Sequence, residues 1–506
     1  MASRRDELNA YTFAKRRLVA QFLQPNATGS EEGAPRPLRA VVPGAIIGVV
    51  ILAGFGAWGM FKPVAPKGWD KPGENVIVAS KSTTRYVVLE TDGEKQLHPV
   101  LNMASAKLLL NLDRGKVINV SESVLDSGKI PHGVTVGIPY APDRLPKAKD
   151  AGTAKRWAVC ERPGEGRGAT TQKAAFVLAD REKGLVDNGN RLAGGELLYV
   201  EAEGAEYVVD ANGTKYALKK GDDLVRQLVV GQGRTPQKVS EEWLLTLHDG
   251  QEIGMPEIDG TPGTGADVPG LESGLAKVGM ILQATDGTKE QQYVVLKDRV
   301  APISDFMAKL LINSKPLKDL DQNGQARKVS ASEFQAGAPF GNDRKWPQSA
   351  PVAVNEAGAG DSKRNAVCSV LRDVDEDKGT TTLSTWAGTD FPAQLPIGSS
   401  SAYVTPGSGL LFRQFQGEAT NVGLLFLVTD TGLRYAMQSN SDSASADSGA
   451  GSDEEKKKQL ESQTELAQRQ LGYKSVDPVP VPKAWTEFLP RGPRLSTGDA
   501  NQPQGS

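Results

Sequence analysis

The chain has very little of what enzymes and nucleic-acid binders display. Across 506 residues it has two cysteines, three histidines, 6% aromatic residues and a formal net charge of −2. Near-neutral charge gives no polyanion-binding surface, so no nucleic-acid partner is expected. Two cysteines without a CxxC spacing, and His98, His132 and His248 without an HExxH pair, supply no metal-ligand set. There is no G-x-x-x-x-G-K-[ST] phosphate cradle and no G-x-S-x-G elbow, so neither a nucleotide loop nor a serine nucleophile can be assigned. The acidic pairs Asp222-Asp223 and Glu241-Glu242 sit in polar stretches and read as solvated surface. No catalytic residue, cofactor site or metal site is assigned, and assembly or binding is favoured over catalysis.

Long apolar runs are also scarce, and the single one present is informative. Residues 40–61 (AVVPGAIIGVVILAGFGAWGMF) lack any charge. At about 1.5 Å per residue they match an apolar bilayer core of about 30 Å. The reading is one transmembrane helix, with a cleaved signal peptide as the competing one. Arg4, Arg5, Lys15, Arg16, Arg17, Arg36 and Arg39 precede it and outweigh Asp6, Glu7, Glu31 and Glu32, so the N-terminus is expected in the cytoplasm and the remainder outside. Gly44 and Gly48 form a GxxxG pair suited to close helix packing, although glycine is common in such helices.

Before the span, residues 6–24 lack Pro and Gly, place Leu8, Tyr11, Leu18 and Phe22 near one helical face, and stop at Pro25. They predict a short amphipathic helix, read either as a docking element or as a positive-inside flank. Residues 25–37 predict a flexible tether.

Beyond the span the sequence is duplicated. KRWAVC ending at Cys160 recurs as KRNAVC ending at Cys368, Tyr86-Val87-Val88-Leu89 recurs at 293–296, and Val120-Ser121-Glu122-Ser123 at 329–332. In an oxidising compartment the two cysteines read as a structural disulfide, the other reading being two buried thiols. Weaker copies at 207–210 and 426–429 raise the count to four units. Each is read as a hairpin followed by a helix and a punctuating Val/aromatic element, as in Val239-Ser240-Glu241-Glu242-Trp243 and Val481-Pro482-Lys483-Ala484-Trp485.

The expected fold is therefore α+β and bitopic, with a pseudo-two-fold extracytoplasmic body around a central β-rich core. The expected boundaries are a cytoplasmic arm at 1–39, the span at 40–61 and repeat 1 at 62–150. The first half of the core follows at 151–200, repeat 2 at 201–257, a linker at 258–275 and repeat 3 at 276–350. The second half of the core is placed at 351–415 and repeat 4 at 416–490, with a disordered insertion at 439–453 followed by a charged helix at 454–470. Residues 491–506 are expected to be a disordered tail. The apolar strands Glu196–Val200 and Leu410–Arg413 are assigned to the core.

Taken together, the arm (Leu8-Asn9-Ala10-Tyr11-Thr12-Phe13 with Arg16-Arg17), the single span, the four repeats and the paired Ala-Val-Cys segments resemble the EccB family, a membrane component of the type VII (ESX) secretion system. The resemblance covers about Arg4 to Pro490; the insertion after Met437 and the tail are atypical. It implies a scaffold whose core is closed by Cys160–Cys368, with repeats likened to wall-binding modules. Leu8, Tyr11, Phe13, Arg16 and Arg17 would contact cytoplasmic parts of a complex with an EccC-type motor ATPase and an EccD-type membrane protein. EccE and a mycosin protease would join in some systems, and the outer domain would self-associate. Alternatives are a cell-wall-binding anchor and, from a label some members carry, an ATP hydrolase.

Overall fold

The computed structural model describes residues 3–23, 38–60, 65–164, 170–287, 289–358, 363–396, 401–437 and 464–504. The tether at 25–37, the insertion at 439–453 and most of the charged helix at 454–470 lie outside the described residues; of that helix, 464–470 is described and helical.

Two helices open the chain. Arg4–Leu23 forms the first, and the second, Leu38–Met60, contains Pro43 at its sixth position, where the missing N–H removes one i→i−4 bond. Among the described residues no helix is long and apolar enough to cross a membrane; the side chains described for the second helix run only from Val41 to Ala57.

Among the described residues the body holds five sheets, and four of them share one topology. In unit 1 the strands Asn75–Ala79, Arg85–Thr91 and Glu94–Val100 form an antiparallel meander, and Lys116–Val120 returns parallel to the first of them. Its tight turn is Asp92-Gly93, with φ of 54° and 81°, the left-handed pair that a two-residue hairpin needs. Units 2, 3 and 4 repeat this order from first strands Glu196–Ala202, Ile281–Asp286 and Gly409–Phe415. A helix sits before each returning strand: Met103–Leu108, Asp223–Val230, Asp305–Ile312 and 464–470. Asn102, Asp222 and Ser304 cap the first three by accepting from Ser105, Val225 and Met307 backbone N–H groups.

The fifth sheet is central and is built from both halves. Arg156–Arg162 and Gln172–Leu178 come from the first, Ala366–Val374 and Thr381–Gly388 from the second, and the two halves meet through antiparallel pairing of Arg156–Arg162 with Ala366–Val374. Ala402–Val404 adds beside Gln172–Leu178, and residues 191 and 192 occupy the matching place beside Thr381–Gly388.

One assignment is corrected. Glu196–Val200 and Leu410–Arg413 do not belong to the central sheet; each is in the first strand of its own unit. Their unbroken apolar character has a physical cause. Leu198, Val200, Leu410 and Phe412 face a cluster shared with the central sheet, whereas Leu197 and Tyr199 face unit 3 and Leu411 faces unit 1. Both faces are covered, so the alternation that marks an ordinary unit strand is absent.

This sandwiching gives the body its order. Units 2 and 4 lie against one face of the central sheet, and units 1 and 3 stack outboard on units 4 and 2. Residues 258–275, expected as a linker or long loop, are a packed loop: Leu271 is buried, and Ala266 N–H donates to Ala276 O across a turn that lies on unit 3.

The tail is the second correction. Residues 491–504 are packed, not loose. Residues 491–495 run beside the Arg434–Ala436 strand of unit 4, Leu495 and Ala500 have no exposure, and Gln504 reaches unit 1. Its hold is mostly backbone pairing, which a polar composition does not reveal.

Candidate functional site

The most constrained place in the molecule is the line where the halves meet. Cys160 and Cys368 are direct partners in the antiparallel register and are joined by a disulfide across 208 residues of sequence. Val159 pairs with Ser369 and Glu161 with Val367 on either side, so the pseudo-two-fold axis passes through the cystine. On the face opposite units 2 and 4 the cystine is buried among Ala158, Phe176, Val370 and Trp386. Trp386 Nε1 donates to Asn188 Oδ1 at 2.9 Å, which ties the covering loop to the sheet.

On the other face the punctuating elements close the core. Trp243 is wholly buried and donates from Nε1 to Val159 O at 3.0 Å; Trp485 is its counterpart in unit 4, and the two belong to one apolar cluster with Trp157 and Phe412. Each sits in a one-turn helix just after a returning strand, which fixes the unit's end onto the common centre.

Beside Trp243, Glu161 is fully buried, accepting from Ser240 backbone N–H at 2.8 Å and from Ser240 Oγ, with Lys173 Nζ at 3.9 Å. Burial pushes its carboxyl above the usual glutamate range, against the pull of Ser240 and Lys173, and Glu242 adds to the rise. Because the folded state holds this proton more tightly than the unfolded chain, the contribution is complete below the unfolded value of about 4.3 and is lost as pH rises through the raised folded value. Glu161→Gln keeps an acceptor for Ser240 and should remove that decline, so the variant gains on the wild type as pH rises above the unfolded value of about 4.3 and through the raised folded value. Denaturant melts across that window check it, and a stability difference that stays flat would contradict the assignment.

Two further polar clamps were not legible as such. Asn355 accepts from Tyr199 N–H at 2.7 Å and donates to Tyr199 O at 3.0 Å, and Gln322 does the same for Ile281 at 2.9 and 2.7 Å. Each amide stands in for a neighbouring strand, and no spacing in the sequence marks such a residue.

The other residues singled out from sequence do not converge. Leu8, Tyr11 and Phe13 are 65%, 69% and 52% exposed on the first helix, with Arg16 and Arg17 also exposed; Leu8, Tyr11, Leu18 and Phe22 share an uncovered face, and Phe13 lies away from it. Among the described residues, nothing beyond the helix's own nearby backbone lies within 4 Å of where a β-carbon on Gly44 or Gly48 would stand. Asp222 caps a helix, Asp223 pairs with Arg226, and Glu242 pairs with Lys173, which are structural duties. His98 is buried and bonded to Val134 O, and His132, on the neighbouring segment that bridges Leu97, lies edge-on to Tyr86; His248 contacts Thr381 Oγ1 in a separate unit. Among the described residues no group of three or more His, Cys, Asp or Glu side chains could hold a metal ion. The centre is largely apolar and interlocked from both faces of the sheet.

A family model described as "Type VII secretion system ESX-1, transport TM domain B" matches residues 1–505. The "ESX-3 secretion system ATPase EccB3" of Mycolicibacterium smegmatis is 27% identical over 526 residues, covering 98% of this chain and 90% of the relative. The "ESX-1 secretion system ATPase EccB1" of Mycobacterium tuberculosis is 27% identical over 309 residues, 60% of each chain. Among solved structures, a chain of an intact ESX-5 inner membrane complex shares the fold with a TM-score of 0.54 at 20% identity, covering 100% of this chain and 96% of that one. The EccB3 dimer from the ESX-3 core complex shares it with a TM-score of 0.53 at 23% identity, covering 84% and 99%. The fold is thus shared with these solved chains, and the chain belongs to the EccB family of type VII secretion proteins.

Proposed function

We propose that the protein is a structural subunit of a type VII (ESX) inner-membrane secretion complex, organising the assembly through its five-sheet body. The observation that carries this is the centre of the body, where both halves and two units lock into one apolar cluster on one face of the central sheet and the cystine that joins the halves is buried on the other. Solved chains of like fold come from an ESX-5 inner membrane complex and an ESX-3 core complex, which supports the same reading.

In this reading the helix Leu38–Met60, 23 residues and about 35 Å long at 1.5 Å per residue, spans the membrane. The basic residues of the first helix hold it on the cytoplasmic side. The exposed stripe of Leu8, Tyr11, Leu18 and Phe22, with Phe13, Arg16 and Arg17, docks to cytoplasmic parts of a motor ATPase of EccC type or a membrane protein of EccD type. Gly44 and Gly48 face a neighbouring membrane helix. EccE, a mycosin protease and further copies of the chain are partners of the outer body. ATP hydrolysis, which the names of several relatives carry, has no phosphate-binding loop to rest on in this sequence.

Mild-detergent purification of the tagged full-length chain from its native membrane, with mass spectrometry of what travels with it, tests the reading. Recovery of EccC-type and EccD-type proteins is expected. Recovery of the chain alone, or with wall polymer only, would favour the wall-anchor alternative.

A further inference from the structure

Units 1 and 3 are related by the duplication, and their edges can be compared residue by residue. In unit 1, residues 132–137 (HGVTVG) form an added edge: His132 bridges Leu97 in parallel and Val136 N–H donates to Pro99 O. In unit 3, residues 336–341 (AGAPFG) do the same: Ala336 bridges Val300 in parallel and Phe340 N–H donates to Pro302 O. Pro99 and Pro302 face Tyr86 and Tyr293 on their neighbouring strands, so the alignment is fixed by pairing on both sides.

The outer side of the unit 1 edge is occupied by the chain's own tail. Pro503 bridges Val136 antiparallel, Gln504 N–H donates to Thr135 O at 2.8 Å, and Gln504 Nε2 donates to Gly137 O at 2.8 Å. On unit 3 the matching positions are Pro339, Phe340 and Gly341, and no backbone donor among the described residues reaches Pro339 O. Next to this edge is a cavity of about 330 Å³ lined in part by Pro302, Met307, Pro339, Phe340, Trp346 and Gln348. Trp346 is 5% exposed, and its buried Nε1 has no hydrogen-bond partner among the described residues. A buried N–H without an acceptor is costly and awaits a carbonyl.

We propose that this edge of unit 3 receives an extended, proline-containing peptide strand of a partner protein. The strand adds antiparallel to 338–341, places its proline against Phe340, donates a backbone N–H to Pro339 O, and offers a carbonyl to Trp346 Nε1. The chain's own tail cannot serve, because it is engaged on unit 1. Residues 250–253, which follow unit 2 as the tail follows unit 4, pair with Lys215–Leu218 and then lead into the loop of unit 3 itself. The proposal does not depend on the secretion reading.

The probe is a fluorescent peptide with the sequence of residues 499–506 (DANQPQGS), titrated by anisotropy into the full-length chain in detergent, where the unit 1 edge is already filled. Saturable binding is expected. Trp346→Phe keeps the ring but removes the donor and should weaken it about tenfold; Phe340→Asp should abolish it, and Val136→Asp should leave it unchanged. A peptide N-methylated at the first glutamine after proline needs no protein variant and should not bind. The proposal is overturned by absence of saturable binding, by full binding of the N-methylated peptide, or by binding that Val136→Asp removes and Trp346→Phe does not, since that is exchange at unit 1.

Discussion

Replacing Cys160 and Cys368 together is expected to lower the melting temperature of the protein by about 10 °C. The bond closes a sequence separation of 208 residues, and in the chain-entropy model such a constraint on the unfolded chain amounts to about 5 kcal/mol. For a body this large each kcal/mol moves the melting point by about 2 °C. The native state should survive, because the flanking register from Trp157–Leu371 to Glu161–Val367 and the shared cluster on the opposite face still join the halves. Serine and alanine replacements separate two contributions. Two hydroxyls placed among Ala158, Phe176, Val370 and Trp386 lose hydration, whereas two alanines lose only volume and the crosslink. The alanine pair should therefore melt between wild type and the serine pair. Calorimetry of the oxidised, reduced and alanine forms decides it; a melting curve unmoved by loss of the bond would mean that the unfolded chain is already held compact by other contacts.

What could be read from sequence follows the same physics. The cystine and its symmetric setting were legible because disulfide partners on a pseudo-two-fold axis need matched neighbours, and Lys155–Cys160 and Lys363–Cys368 supply them. The Trp243 and Trp485 elements were legible because a buried indole after a short strand has few other uses. The first strand of units 2 and 4 was misassigned because an apolar run covered on both faces carries no period, and only tertiary order says which sheet it joins. Asn355, Gln322 and Glu161 were invisible because single polar residues take their meaning from what they touch across 41 to 156 residues of sequence. The arm and the Gly44-Gly48 pair were legible as local helix, but their roles concern other molecules.

The tail gives the sharpest test of this distinction, since composition and structure disagree there. Leu495 is the one large apolar residue in a stretch otherwise rich in Gly, Pro, Ser and charge, and it has no exposure, packing into the cluster with Leu411, Tyr435, Met437, Leu471 and Tyr473. Its N–H donates to Ala436 O at 2.8 Å, which holds the segment in register on unit 4. Ser496 then caps the turn Thr497–Ala500, and Arg494 pairs with Asp499 at 2.8 Å. Leu495→Ala removes most of the buried side chain from a site made by three other segments, which leaves little room for collapse, so a loss of about 3 kcal/mol is expected, or about 6 °C in melting temperature. Truncation after Pro490 should do more. It exposes Tyr435 and takes away the Gln504 contacts to residues 135 and 137, so unit 1 should become sensitive to limited proteolysis near 132–142 while the central sheet stays protected. If Leu495→Ala melts with wild type and truncation leaves the proteolytic pattern unchanged, the tail only rests on the surface and the outer pairing of units 1 and 4 stands by their helices alone.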